Sequence, residues 1–195
     1  MKKRKFSMPV ILGLVLVLCS LCLVLFFQIR TRLGAQTCQQ TAETLSAMIP
    51  ERSAGVPGSY LQPRMPVLQI DSADYVALLE IPSLDITLPV ADQWDSNRLS
   101  YSPARFFGSA YDGTLVIGGT DGPGQFRFCD KIDQGVTLTV TDMTGGQFTY
   151  TVARVDRSKE AETQWLTQSD WDLTLFCRDQ QTLDYLAVRC ISDYR

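Results

Sequence analysis

Near its C-terminus the chain reads LTLFCRDQQTLDYLAVRC, residues 173–190. Two apolar runs flank a polar turn, and Cys177 stands where the first run ends, a place from which a thiol can attack a carbonyl. An unassisted cysteine has a pKa near ~8.5 and is only a few per cent thiolate at neutral pH, so a catalytic cysteine recruits a neighbouring base or cation. The chain contains no histidine. The opposing reading of Cys177 is a buried strand cysteine that packs as a small hydrophobe.

Other chemistries find less support. GGTDGPG, residues 118–124, follows an apolar run as phosphate-binding loops do. It lacks the G-K-[ST] ending, and Pro123 interrupts the backbone N–H donors, so a structural turn is expected there. A serine hydrolase needs G-x-S-x-G or a histidine base, and the sequence has neither. The acidic residues show no spacing that separates a catalytic carboxylate pair from a solvated surface. Cys38, Cys129, Cys177 and Cys190 match no zinc pattern, Cys19 and Cys22 form a C-x-x-C inside an apolar run where cysteine serves as a small apolar residue, and without histidine the usual mixed metal sites are impossible, so no metal and no cofactor are expected.

These groups have to be positioned by the elements around them. Residues 9–27, PVILGLVLVLCSLCLVLFF, form a run without a charge, about 28 Å of helix at ~1.5 Å per residue, enough for a hydrocarbon core. The run is too long for the apolar part of a cleaved signal, and no good cleavage site follows it. MKKRK precedes it and Arg30 and Arg32 follow it. The larger basic cluster is expected to stay cytoplasmic, leaving an uncleaved signal-anchor with the C-terminal bulk outside the cell. Of 18 basic residues, 12 lie after residue 32 together with all 21 acidic ones, so the exported part carries −9. A nucleic-acid partner is not expected on that charge, because phosphate binding needs clustered positive charge.

Residues 28–48 are polar and read as a continuation of the helix above the membrane, and the prolines and glycines of residues 50–66 read as a linker. From residue 74 the pattern changes to short runs rich in valine, leucine, threonine and aromatics: YVALLEI, LDITLPV, GTLVIGG, GVTLTVTD, QFTYTVARV, WDLTLFC and DYLAVRC. Val136, Leu138 and Val140 alternate with Thr137, Thr139 and Thr141, and Thr144-Gly145-Gly146 makes a hairpin turn. Residues 125–132 read as the one short helix of this half. The count suggests a closed β-barrel or a sandwich. The organisation is therefore a cytoplasmic segment 1–8, a span 9–27, a juxtamembrane helix and linker 28–73, and a mostly β domain 74–195.

The order YVALLEIPSLDITLPV, RLSYSPARFFGSAYDGTLVIGGTD, FRFCDKIDQGVTLTVTDMTGGQFTYTV, LTLFCRD and DYLAVRC resembles the sortases, the membrane-anchored cysteine transpeptidases of Gram-positive bacteria, of the class B and D kind. The resemblance implies an eight-stranded β-barrel with short helices, preceded by one transmembrane helix, whose groove binds an extended sorting peptide. It also implies three working side chains: a histidine in L-V-I-x-G-H-N, a cysteine ending L-T-L-x-T-C, and an arginine opening the last strand. LVIGGTD places Thr120 at the histidine. LTLFCR places Cys177 on the threonine and Arg178 on the nucleophile. YLAVRC places Tyr185 at the arginine.

All three catalytic groups are replaced on this alignment. Cys177 is one position early, and a one-residue slip along a strand turns a side chain to the other face. Asp121 and Tyr101 have nothing to promote them as substitute acids. The expectation is a degenerate sortase that has lost transpeptidation and keeps a peptide groove at Thr120, Asp121, Arg178 and Tyr185, binding sorting-signal-like peptides of surface proteins or partnering an active sortase. The alternatives are a divergent cysteine transpeptidase or peptidase using Cys177, and a purely structural membrane protein.

Overall fold

The computed structural model describes residues 8–50, 53–54, 64–96, 98–168 and 170–194. The basic cluster at residues 2–5 and most of the proline- and glycine-rich stretch, residues 51–52 and 55–63, lie outside the described residues.

Helix α1 runs unbroken from Met8 to Met48. Its apolar first half is exposed along its length and is long and apolar enough to cross a membrane. The second half has a buried stripe, Gly34, Cys38, Ala42, Leu45 and Ile49. The steps of three and four residues put these side chains on one helical face.

The strands are β1 (Ser53–Ala54), β2 (Leu68–Ile70), β3 (Ala73–Ile81), β4 (Ile86–Ala91), β5 (Ala104–Phe107), β6 (Leu115–Gly118), β7 (Thr137–Asp142), β8 (Gly146–Ser158), β9 (Leu173–Arg178) and β10 (Tyr185–Ser192). Hydrogen-bonded neighbours run β3, β4, β5, β6, β9, β10, β8, β7 and back to β3, which closes an eight-stranded barrel. Strands β2 and β1 are appended to β3 and β8. Closure decides between the barrel and the sandwich left open by the pattern, because it leaves no strand of the eight without two partners.

Alternation sets what fills the barrel. Leu115 and Ile117 of β6, Leu138 and Val140 of β7, Phe148, Tyr150 and Val152 of β8, Leu173 and Leu175 of β9, and Leu186 and Val188 of β10 share one core. Strand β3 is apolar on both faces for a second reason. Its Tyr75 and Leu78 point out of the barrel and pack under Ala42 and Leu45 of α1 and Ile49 just past its end.

The segment expected as a helix over 125–132 is a 3-10 turn, Phe126–Asp130. It is not the only helical piece of the barrel. A 3-10 turn at Pro82–Leu84 and a single α turn, α2 (Thr163–Leu166), were missed because each is too short to show a 3.6-residue period. The Thr144–Gly146 hairpin joins β7 to β8, with Gly145 at φ +89°.

Candidate functional site

Parallel pairing of β6 with β9 sets Gly118 opposite Phe176, and the Gly119 N–H donates to the Phe176 carbonyl at 2.9 Å. Continuing that register, Thr120 falls level with Arg178. Antiparallel pairing of β9 with β10 sets Arg178 directly opposite Tyr185. Of the three positions matched to the sortase catalytic residues, Arg178 and Tyr185 therefore stand side by side where β9 ends and β10 begins, and Thr120 lies two residues past the end of β6.

Arg178 is exposed. Its guanidinium lies 5.6 Å from the Tyr185 ring centre, and its Nε donates to the Leu183 carbonyl at 3.2 Å. A cation over an exposed aromatic face contributes about 0.5–1 kcal/mol, so the pair is ordered but displaceable. Thr120 donates its backbone N–H to Gln125 Oε1 at 3.1 Å, and its carbonyl accepts the Phe126 N–H at 3.0 Å.

Asp121 is committed to the loop. Its carboxylate accepts the Gln180 N–H at 3.1 Å, and its carbonyl accepts Gln180 Nε2 at 2.9 Å. It fastens the loop after β6 to the turn between β9 and β10, a positioning role that the sequence did not reveal.

That turn is held by Asp179. Its carboxylate accepts the N–H groups of Gln181 at 2.7 Å and Thr182 at 3.2 Å, and Arg157 stands 3.6 Å away. These donors, the Gln181 N–H first, hold the Asp179 carboxyl below the usual carboxylate range. The exposed Leu183 completes the turn at φ +64°, a left-handed conformation that costs an L-residue about 1–2 kcal/mol.

Cys177 faces the other way. It is 1% exposed, belongs to the barrel core, and points its thiol at the Phe126 carbonyl at 3.7 Å. Cys129, on the 3-10 turn beneath, is fully buried, and its thiol pKa is raised, by desolvation first and by Cys177 second. Burial likewise pushes up Cys190. The strand alternation that puts Arg178 outside puts Cys177 inside, with no bulge between β9 and β10 at that point.

The outward face of β6, β9 and β10 is covered by the chain itself. Val116, Phe176 and Ala187 pack under Phe106, Ala161, Trp165 and Leu166. Trp94, from the loop after β4, stacks on Phe176 with ring centres 5.4 Å apart at 25°, and meets Phe106 edge-on at 5.4 Å. Only glycine fits at 118, since a Cβ there would collide with the Trp94 and Phe176 rings.

Arg105 pins the base of the Trp94 loop through its ion pair with Asp92. On the far side the buried Arg189 donates to the Trp165 carbonyl at 2.6 Å, the Leu166 carbonyl at 3.2 Å and the Thr174 hydroxyl at 3.1 Å, and pairs with Asp156 at 3.2 Å. It ties α2 down over the sheet. A cavity of about 310 Å³ beside this end is lined by Asp121, Arg127, Lys131 and Gln180, and by none of Thr120, Arg178 and Tyr185. Among the described residues no group of three or more metal-ligating side chains stands together.

Comparison with known proteins gives the barrel its family. A family model described as the sortase domain matches residues 79–188. Sortase C from Clostridium perfringens, solved with the C-terminal cell wall sorting motif, is similar at 21% identity and a TM-score of 0.53, over 62% of this chain and 71% of that one. A sortase D5 transpeptidase from the same organism is 21% identical with a TM-score of 0.54, over 61% and 79%. Sortase A from Corynebacterium diphtheriae is 15% identical with a TM-score of 0.55, over 83% of each chain. A search of curated proteins found no match. The family model spans more than half of the chain, from within β3 to within β10. The closed barrel shares its fold with these solved sortases, and the chain belongs to the sortase family.

Proposed function

We propose that this chain is a membrane-anchored, extracytoplasmic sortase-fold protein without transpeptidase activity, which binds a peptide of the sorting-signal kind or partners an active sortase. The observation that carries this reading is the identity of the three side chains at the matched positions. Thr120 offers no acid–base group of useful pKa, Arg178 offers no nucleophile, and Tyr185 offers no cation. Acid–base catalysis contributes about 10²–10⁴-fold and an oxyanion donor about 10²–10³-fold, and such groups act as a unit, so a loss of roughly three decades or more follows. Cys177 does not rescue the chemistry from within the core. A fixed cation beside an aromatic hydroxyl suits recognition of a carboxylate or a backbone carbonyl.

A second reading, an assembly surface for another membrane protein, is favoured by the cover of Trp94, Phe106 and Trp165 over the sheet that would otherwise floor a peptide groove.

Intact-mass analysis of the chain incubated with a pool of sorting-signal peptides tests both. The expected result is no acyl adduct and no cleavage, with peptide retained on the protein and retention lost in Arg178→Ala. An adduct that maps to Cys177 and disappears in Cys177→Ala would overturn the proposal. Absence of both adduct and retention would leave the assembly surface.

A further inference from the structure

The continuity of α1 sets the height of the barrel over the membrane. Gly34 is the first residue of α1 that the barrel buries, seven residues past Phe27, where the uncharged run ends. At ~1.5 Å per residue this is about 10 Å of helix. The polar layer of one leaflet is about 5–7 Å thick.

The contact at Gly34 is close and involves backbone: a Cβ there would lie 2.6 Å from the Ser100 carbonyl oxygen. One residue on, the Cβ of Ala35 lies 3.0 Å from where a Cβ on Gly124 would stand. Two loops of the barrel thus meet the helix at its lowest point of contact. Gln125 joins them, since its Nε2 donates to the Leu99 carbonyl at 2.7 Å and its Oε1 accepts the Thr120 N–H. The rim of the candidate site and the loop after β4 are one body at this level.

The composition of this level is that of an interface. Tyr101 is 42% exposed and Leu33 is 54% exposed, and Arg30, Arg32 and Arg98 are exposed as well. Arg98 donates to the Ser72 carbonyl and stands 3.9 Å from Asp95. Tyrosine and arginine with an apolar neighbour are the residues that settle at headgroup depth, the ring partly immersed and the guanidinium among phosphates.

We propose that this rim, residues 98–101 together with residues 121–124, rests on the phospholipid headgroup layer of the membrane that α1 spans. The inference depends on α1 being inserted as an anchor. It adds that the barrel is held against the bilayer rather than suspended above it.

The test uses the full chain with Cys19 and Cys22 replaced by serine, in vesicles of phosphatidylcholine and phosphatidylglycerol. An environment-sensitive fluorophore is attached at Leu16→Cys, Tyr101→Cys, Pro123→Cys or Ser53→Cys. Quenching is read with lipids that carry a nitroxide either on the headgroup or in mid-chain. Position 16 reports insertion of the span through the mid-chain probe. Ser53, past the far end of α1, reports the background above the membrane.

The expected result is headgroup quenching several-fold stronger at 101 and 123 than at 53. With position 16 quenched from mid-chain, equal quenching at 101, 123 and 53 overturns the inference and leaves the anchor standing. No mid-chain quenching at position 16 overturns the anchor, and the inference with it.

Discussion

At the scale of single residues, the arrangement turns on which side of β9 a side chain occupies. Arg178 and Cys177 are neighbours in sequence and lie on opposite faces of the barrel wall. The opposition follows from the period of two along a strand, so no rotamer change can exchange them. Replacing three residues together tests the matched positions. Thr120→His, Arg178→Cys and Tyr185→Arg in one chain is expected to form a thioester with sorting-signal peptides, visible as a mass adduct at position 178. Each single variant is expected to remain inert. If the triple variant forms no adduct with any peptide that active sortases accept, the matched positions are wrong.

At the scale of elements, two loops govern access to the matched positions. The turn between β9 and β10 is held by the Asp179 carboxylate, whose folded pKa lies below its unfolded value. Its contribution is present above the unfolded carboxylate pKa and is lost as pH falls through the depressed folded one. Protection factors at Gln181 and Thr182, with amide exchange corrected for its intrinsic pH dependence, should fall in that acid window while the β9 amides stay protected, and Asp179→Asn should already be less protected there at neutral pH.

The loop after β4 acts through Trp94. The indole is 41% exposed, so it is only partly tied down. Trp94→Ala should cost about 1–2 kcal/mol of stability, the value of one half-buried aromatic with its ring contacts. The same change bares Phe176 and Gly118, and retention of sorting-signal peptides should rise. Unchanged stability and unchanged retention would mean that the stack is incidental.

At the scale of the whole molecule, α1 and the barrel are joined by a packed interface. Leu45 is 0% exposed between Leu78 and its neighbours on the barrel wall. Leu45→Asp places a carboxylate there at a cost of about 3 kcal/mol, roughly a hundredfold in the docking equilibrium. Limited proteolysis checks it: cleavage within residues 28–50 should speed up strongly, while the barrel, closed by its own eight strands, stays resistant. Equal cleavage rates would mean that the helix is held by something other than this stripe.

The sequence by itself determined the anchor-like apolar helix, the mostly β character of the remainder, and the absence of histidine, because each is written in local composition or in a period of two or three to four residues. It also carried the order of motifs that placed Thr120, Arg178 and Tyr185 in one frame. Through the resemblance it carried the closed eight-stranded barrel as well, and only the tertiary structure decided that Asp121 is a fastener and that Trp94 and Arg189 bring their segments over the outer face. These depend on pairs such as Asp121 with Gln180, Trp94 with Phe176 and Arg189 with Trp165. Such partners lie far apart along the chain, and no local pattern records which will meet. The same holds for where α1 meets the barrel, which follows from Gly34 lying against the Ser100 carbonyl.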